Sequence, residues 1–152
     1  MILYKKLGQL RDKYGVSWDL LEQDYLLSWM LAGIAATPEL RDMLIFKGGT
    51  ALKKSYFGEY RFSQDLDFTT ISPLPDDQVL SELIAGACVK AMNLQSAHNE
   101  LVSITWQLYT EKKPHPHNQK AFVVLGQFPW HGEPLTRIMV EGLGTFSCTR
   151  LL

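Results

Sequence analysis

The chain has 152 residues, of which 46% are hydrophobic and 20% charged, and its formal net charge at pH 7 is −1. This length and composition predict one globular domain and exclude a disordered, collagen-like or coiled-coil chain. The near-zero charge excludes general attraction to nucleic acid or acidic membranes, so such binding would need a local basic patch. Two cysteines are too few for a disulfide framework, and no apolar stretch is long enough to span a bilayer. We therefore expect a cytoplasmic protein without membrane contact.

The N-terminal part of the chain predicts helices. A weakly amphipathic helix is expected over residues 1–16, and Ser17 is placed to cap a second helix over residues 18–36. Thr37 has the position of an N-cap, with Pro38 as the first residue of a short third helix. The acidic residues near the start of the second helix are expected only to favour its N-terminal turn.

A different pattern begins at Leu44, where a short apolar run predicts a buried strand over residues 44–46. Two further helices are expected at residues 51–57 and 76–92. Alternating patterns predict strands at residues 65–69, 102–109, 121–128 and 135–141. The order predicts a small mixed sheet with helices on one side, an α/β or α+β fold. We expect one domain over residues 1–152, with N-terminal helices (1–43), a sheet region carrying the chemistry (44–141) and a tail (142–152).

A glycine pair follows the predicted buried strand at residues 44–46. Gly48 and Gly49 allow the backbone to approach a ligand closely, and Thr50 can begin the next helix. Free N–H groups at a helix start favour an anion such as phosphate. Taken alone, this segment is more often an ordinary strand-to-helix turn, and it lacks the spacing of a P-loop.

Asp65 and Asp67 lie two residues apart in the next predicted strand, so their carboxylates point to the same face. Two neighbouring carboxylates repel each other unless a cation neutralises them, and Mg²⁺ or Mn²⁺ prefers such oxygen ligands. A lone Asp-x-Asp is more often a solvated strand face, and glycosyltransferases also use it. Combined with a phosphate-binding turn, however, the pair has the layout needed to transfer a nucleotidyl group.

Two segments resemble the motifs of the AbiEii/AbiGii toxin family of nucleotidyltransferase-like proteins. Residues 46–54 read Phe-Lys-Gly-Gly-Thr-Ala-Leu-Lys-Lys, and residues 61–68 read Arg-Phe-Ser-Gln-Asp-Leu-Asp-Phe. Members pair a Gly-Gly-Thr-x-Leu-x-Lys motif with an Arg-Phe-Ser-x-Asp-hydrophobic-Asp motif. The resemblance implies a polymerase-β-like nucleotidyltransferase fold. It also implies the toxin half of a bacterial type IV toxin–antitoxin or abortive-infection pair.

The resemblance also implies roles for individual residues. Asp65 and Asp67 would bind Mg²⁺ or Mn²⁺, and Lys54 would neutralise phosphate charge during catalysis. The residues implied to bind the nucleotide are Gly48, Gly49, Thr50, Lys54, Arg61 and Ser63. Related proteins use nucleoside triphosphates, and some modify the 3′ end of tRNA. The expected partners are therefore an NTP, an RNA acceptor such as tRNA, and a cognate antitoxin.

Nucleotidyltransferases of this kind usually take a third carboxylate from a later strand. Glu141, at the end of the last predicted strand, is our candidate to complete the metal site and help deprotonate the acceptor hydroxyl. The alternative is an ordinary glutamate at a strand end. Arg137 could supply, less directly, the basic residue that relatives often carry near this acid.

Relatives usually continue past the third acid into a helical C-terminal half, and the sequence shows no counterpart of it. We therefore expect a minimal or shortened member. The alternative is a truncated, non-catalytic module that binds a nucleotide or an antitoxin. The four tryptophans are expected to pack in or beside the core, with His131 packing beside the last of them; these are Trp18, Trp29, Trp106 and Trp130.

Overall fold

The computed structural model describes residues 2–47, 65–96, 101–109 and 120–143, with the side chains of all except Ile2, Lys47 and Leu143. The helices in these ranges are α1 (Ile2–Tyr14), α2 (Trp18–Ala35), α3 (Pro38–Met43) and α4 (Asp77–Gln95). The strands are β1 (Leu44–Lys47), β2 (Asp65–Thr70), β3 (Ser103–Leu108), β4 (Lys120–Gln127) and β5 (Thr136–Leu143). Each confirms a predicted element to within about three residues at either end. The helix expected at residues 51–57 lies outside the described residues.

The start of α2 forms as the sequence predicts, because the Ser17 hydroxyl accepts a hydrogen bond from the backbone N–H of Leu20 at 3.3 Å. The start of α3 differs in one detail. Thr37 holds the N-cap position, but its hydroxyl donates to the carbonyl oxygen of Gly33 in α2 at 2.9 Å and does not cap α3. Thr37 thereby joins the two helices at their corner.

The five strands form one mixed sheet in the order β1-β2-β5-β4-β3. β2 and β5 pair in parallel, whereas the β1–β2, β5–β4 and β4–β3 pairs are antiparallel. β5 is therefore the central strand, although it is the last described strand in the chain. Helices α2 and α4 pack against each other and against one face of this sheet. The fold is the predicted mixed α/β arrangement.

The core lies between these two helices and the sheet. Its fully buried side chains include Leu26, Leu27 and Met30 from α2. Leu20, in the first turn of α2, is only partly buried. α2 and α4 approach very closely at Gly33, where an added Cβ would lie 2.2 Å from the carbonyl oxygen of Ala87. Only glycine permits this approach.

The alternation of β2 and β5 divides their side chains between the two faces of the sheet. The buried members on the helix side include Leu66 and Phe68 of β2 and Ile138 and Val140 of β5. The intervening residues face away from α2 and α4. Those residues are Asp65, Asp67 and Thr69 on β2, and Arg137, Met139 and Glu141 on β5.

Candidate functional site

The two aspartates of the Asp-x-Asp motif share one face of β2. Both are half-buried, while Leu66 between them is fully buried in the core. The sequence predicted this arrangement from the alternation alone. A one-residue shift in the register of β2 would move Leu66 out of the core and turn the two aspartates inward. The burial of Leu66 therefore fixes the face on which the two carboxylates lie.

Glu141 lies directly beside this pair. In the parallel β2–β5 ladder, Asp67 is the register partner of Glu141, and Asp65 is the partner of Met139. Neighbouring strands run about 4.8 Å apart, so register partners on one face are adjacent side chains. The structure therefore brings the three carboxylates predicted from the sequence to one patch of the sheet.

Gly142 shapes the chain immediately after Glu141. Its φ is +78°, a left-handed conformation that side-chain-bearing residues rarely adopt. An added Cβ would also lie 2.3 Å from the carbonyl oxygen of Phe68. The close contact between Gly142 and the β2 backbone thus holds the end of β5 against the strand that carries the aspartates.

The carboxylates repel each other electrostatically. Burial raises the pKa of Asp65 above its ordinary value of 3.8, and the negative charge of Asp67 raises it further. A backbone hydrogen bond at Met139 and the positive charge of Arg137 lower the pKa, but they do not offset the first two effects. Burial and the charge of Asp67 thus disfavour the ionised form of Asp65, and a bound cation would favour that form.

The chemistry of these donors fits a hard divalent cation, because all of them are carboxylate oxygens. Within the four ranges given above, no group of three or more His, Cys, Asp or Glu side chains is arranged so that it could hold a metal ion. Metal binding by Asp65, Asp67 and Glu141 is therefore a proposal.

The predicted phosphate-binding motif begins where β1 ends. Lys47, the last residue of β1, is the register partner of Asp67 on the side of β2 opposite β5. The residues that continue the motif lie outside the described residues, and their nucleotide-binding roles stay predictions. These residues are Gly48, Gly49, Thr50, Lys54, Arg61 and Ser63.

The sequence analysis missed a buried cluster around Glu22. The Glu22 side chain in α2 is only 3% exposed, and it accepts hydrogen bonds from Trp18 and from the Trp130 indole at 2.8 Å. His131 Nε2 lies 2.8 Å from Oε1, and the Thr136 hydroxyl donates to Oε2 at 2.9 Å. The tryptophans and His131 were expected to pack beside the core. The structure shows that the Trp18 and Trp130 indoles also donate to a buried carboxylate, with the His131 ring within hydrogen-bond distance of it.

This cluster connects α2 to the beginning of β5. Thr136 is the first residue of β5, and the side-chain amide of Gln23 donates to the carbonyl oxygen of the next residue, Arg137, at 3.1 Å. Arg137 is also the residue whose charge acts on Asp65. The spacing of Trp18 and Glu22, four residues apart on one helix, was the only local signal for the cluster.

None of the helices in the described part of the chain is long and apolar enough to cross a membrane. A comparison with curated proteins finds no match. The family model described as "Nucleotidyl transferase AbiEii toxin, Type IV TA system" matches residues 29–145, which is more than half of the chain. The matched range contains both predicted motifs and Glu141, and the mixed five-stranded sheet is consistent with a nucleotidyltransferase-like fold. The chain therefore belongs to the AbiEii nucleotidyl transferase toxin family, whose members are toxins of type IV toxin–antitoxin systems.

Proposed function

We propose that this chain is a Mg²⁺-dependent nucleotidyltransferase that transfers a nucleotide from an NTP to a hydroxyl of an RNA acceptor such as tRNA. One structural observation supports this proposal most directly. The parallel β2–β5 pairing places Glu141 beside Asp67, on the same face as Asp65. Family membership implies the nucleotidyltransferase class, and this patch supplies the acidic residues that the reaction needs.

In this proposal Asp65 and Asp67 would hold the metal ion, with Glu141 as the third ligand. A bound Mg²⁺ would neutralise phosphate charge and favour ionisation of the acceptor hydroxyl. Glu141 takes the hydroxyl proton as the acceptor oxygen bonds to the α-phosphorus and the bond to pyrophosphate breaks. Arg137 offsets part of the negative charge at Asp65, which keeps that carboxylate available as a ligand.

In this proposal the NTP is bound by the Gly-Gly-Thr motif, which lies outside the described residues. Gly48, Gly49 and Thr50 would hold the triphosphate, and Lys54 would neutralise its charge. β1 directs the chain into this motif beside Asp67, which supports a donor site on the β1 side of the dyad. A cognate antitoxin follows from family membership, and we place the protein in the bacterial cytoplasm, where NTPs and tRNA are available.

The test is a transfer assay with labelled NTPs, Mg²⁺ and total tRNA, applied to the unaltered protein, Asp65→Asn and Asp67→Asn. Both variants should lose transfer, because an amide is a poorer ligand for Mg²⁺ than a carboxylate. Asp42→Asn is the matched control, since the Asp42 side chain on α3 is 73% exposed and lies outside the carboxylate patch. Equal transfer by all four proteins would contradict the proposal.

A second outcome would favour the alternative given in the sequence analysis. If the unaltered protein binds NTP but transfers nothing with any metal or RNA, the chain is a nucleotide-binding or antitoxin-binding module. NTP binding should be measured by equilibrium dialysis with and without Mg²⁺. A Mg²⁺ dependence lost in Asp65→Asn would still support the proposed metal site.

A further inference from the structure

β3 is an edge strand, because among the described strands it pairs with β4 alone. Just beyond its end, the backbone N–H of Tyr109 donates to the carbonyl oxygen of Ala121 at 2.9 Å, in the same register as the β3–β4 ladder. Backbone groups point alternately to the two sides of a strand, so the odd-numbered residues of β3 bond to β4. The even-numbered residues from Val102 to Leu108 therefore point their N–H and C=O groups away from β4.

Two side chains of α4 cover the first part of this edge. The buried Gln95 amide bonds to both backbone groups of Val102: Oε1 accepts from the N–H at 2.9 Å, and Nε2 donates to the carbonyl oxygen at 3.5 Å. The N–H of Ile104 donates to Met92 Sδ at 3.4 Å. Gln95 thus makes the two hydrogen bonds that a neighbouring strand would make, and the protection from α4 ends at Ile104.

The second part of the edge has no such cover. Within the described ranges, nothing hydrogen-bonds to the outward N–H and C=O groups of Trp106 and Leu108. Natural edge strands are commonly protected by a charge, a proline or a bulge. Residues 103–109 read Ser-Ile-Thr-Trp-Gln-Leu-Tyr, without charge or proline, and the β3–β4 register is regular. This part of β3 therefore has the properties of a strand that pairs with another strand.

A second copy of β3 matches the open groups in number and spacing. Two copies related by a two-fold axis present the same strand to each other in antiparallel orientation. With the axis at Gln107, Trp106 of each copy lies opposite Leu108 of the other, and four N–H···O bonds satisfy all the open groups. Thr105 then lies opposite Tyr109, so no like charges face each other.

The cover from α4 also selects this register. An axis at Trp106 would place Leu108 opposite Ile104, whose N–H is already engaged by Met92. Only the axis at Gln107 pairs the two uncovered residues with each other.

We propose that the edge of β3 binds a second copy of this chain, antiparallel about Gln107, so that the sheets of two copies join into one. A single strand pair is a small interface, so the dimer should be reversible and depend on concentration. β5 and β4 separate β3 from the Asp-x-Asp strand. The proposal is therefore independent of the nucleotidyltransferase function.

The test is sedimentation velocity from low to high micromolar concentration. The sedimentation coefficient of the unaltered protein should rise from the monomer value to the dimer value. Gln107→Lys places two positive charges opposite each other at the axis and should keep the protein monomeric at low ionic strength. Ser103→Lys is the matched control, because Ser103 is exposed on the same face of β3 but lies away from the axis, and this variant should still dimerise.

Two results would overturn the proposal. One is a dimer that Gln107→Lys does not weaken, which would place the interface elsewhere. The other is an unaltered protein that stays monomeric throughout; protection of the Trp106 and Leu108 amides from hydrogen exchange in that monomer would assign the edge to another segment of this chain.

Disulfide formation tests the register directly. At the axis, Gln107 of the two copies forms a non-hydrogen-bonded pair, whose Cα atoms are about 4.5 Å apart and within the range for a disulfide. In a Cys148→Ser background, Gln107→Cys should give a covalent dimer on mild oxidation, and the buried Cys88 should not compete. Ser103→Cys in the same background should give much less. Equal or greater cross-linking of Ser103→Cys would overturn the proposed register.

Discussion

Asp67 in β2 and Glu141 in β5 are direct register partners across a parallel strand pair, although they lie far apart in the sequence. Two acidic side chains in adjacent positions are unfavourable for the fold itself. An arrangement that costs stability and lies at one patch of a sheet is typical of a functional site. The first prediction follows from this pair.

Replacing Glu141 with glutamine should reduce the transfer rate about 100-fold or more, because the amide cannot accept the proton of the attacking hydroxyl. NTP affinity should change much less, since the predicted triphosphate contacts lie on the β1 side. Single-turnover transfer and equilibrium NTP binding measure the two quantities separately. Unchanged transfer by Glu141→Gln, with Asp65→Asn inactive, would show that the reaction uses no third carboxylate from β5.

The raised pKa of Asp65 predicts how the stability of the metal-free protein depends on pH. Above the raised value the carboxyl group is ionised in both folded and unfolded chains, and the folded state bears the penalty of burial and of Asp67. As the pH falls through the raised pKa towards 3.8, the folded state binds a proton first, so this penalty disappears. Asp65→Asn should therefore be more stable than the unaltered protein near neutral pH.

Urea unfolding in the presence of a chelator measures this effect as the difference between the two proteins. The advantage of Asp65→Asn should shrink as the pH is lowered from about 7 to about 4. Taking the difference removes the contributions of the other carboxylates. An advantage that stays constant over this range would mean that Asp65 ionises normally in the folded chain.

The Glu22 cluster predicts a stabilising role for a buried carboxylate. Glu22→Gln should lower the free energy of unfolding by about 2–4 kcal/mol, because the amide N–H₂ would face indole, imidazole and hydroxyl donors. Thr136→Val removes one of these donors and should cost about 1–2 kcal/mol. Thr105→Val on the exposed face of β3 is the matched control and should change stability by about 0.5 kcal/mol or less.

Chemical denaturation of the single and double variants tests this cluster further. Because Glu22 and Thr136 share one hydrogen bond, the double variant should lose less stability than the two single losses combined. Strict additivity would mean that the contact contributes nothing to the folded state.

Two glycines inside helices should respond in opposite ways to alanine. In a helix interior alanine is intrinsically more favourable than glycine by about 1 kcal/mol, and both substitutions gain this difference. At Gly86 in α4 nothing lies within 4 Å of the added Cβ, so Gly86→Ala should stabilise the protein by about that amount. At Gly33 the Cβ would lie 2.2 Å from the Ala87 carbonyl oxygen, so Gly33→Ala should destabilise it by about 1–3 kcal/mol. Thermal unfolding of the two variants should shift in opposite directions.

Local signals were sufficient to predict most of the fold. Ser17 marked the start of α2, and alternation placed Asp65 and Asp67 on one face of β2, because caps and strand alternation depend on residues close together in the sequence. In α2 the apolar pattern identified Leu21 and Leu27 as buried, but it did not identify Glu22. That helix is apolar around much of its circumference, and contacts with α4 and the sheet decide the outcome.

Contacts between distant residues account for what the sequence left undetermined. The pairing of Asp67 with Glu141 depends on the strand order, which periodicity does not encode, so Glu141 was identified by family resemblance. The Glu22 cluster was missed because Trp130 and Thr136 lie more than 100 residues away from Glu22, and a helix-start glutamate has no local sign of burial.

The place of β5 in the sheet also determines when the carboxylate patch can form during synthesis. β2 leaves the ribosome early, but its parallel partner β5 is the last described strand in the chain. At translation rates of roughly 5–20 residues per second, the interval between the two strands lasts roughly 3–15 seconds. During that interval the nascent chain carries the Asp-x-Asp motif without its third acid. If the proposed mechanism holds, catalytic competence arises only after the central strand inserts.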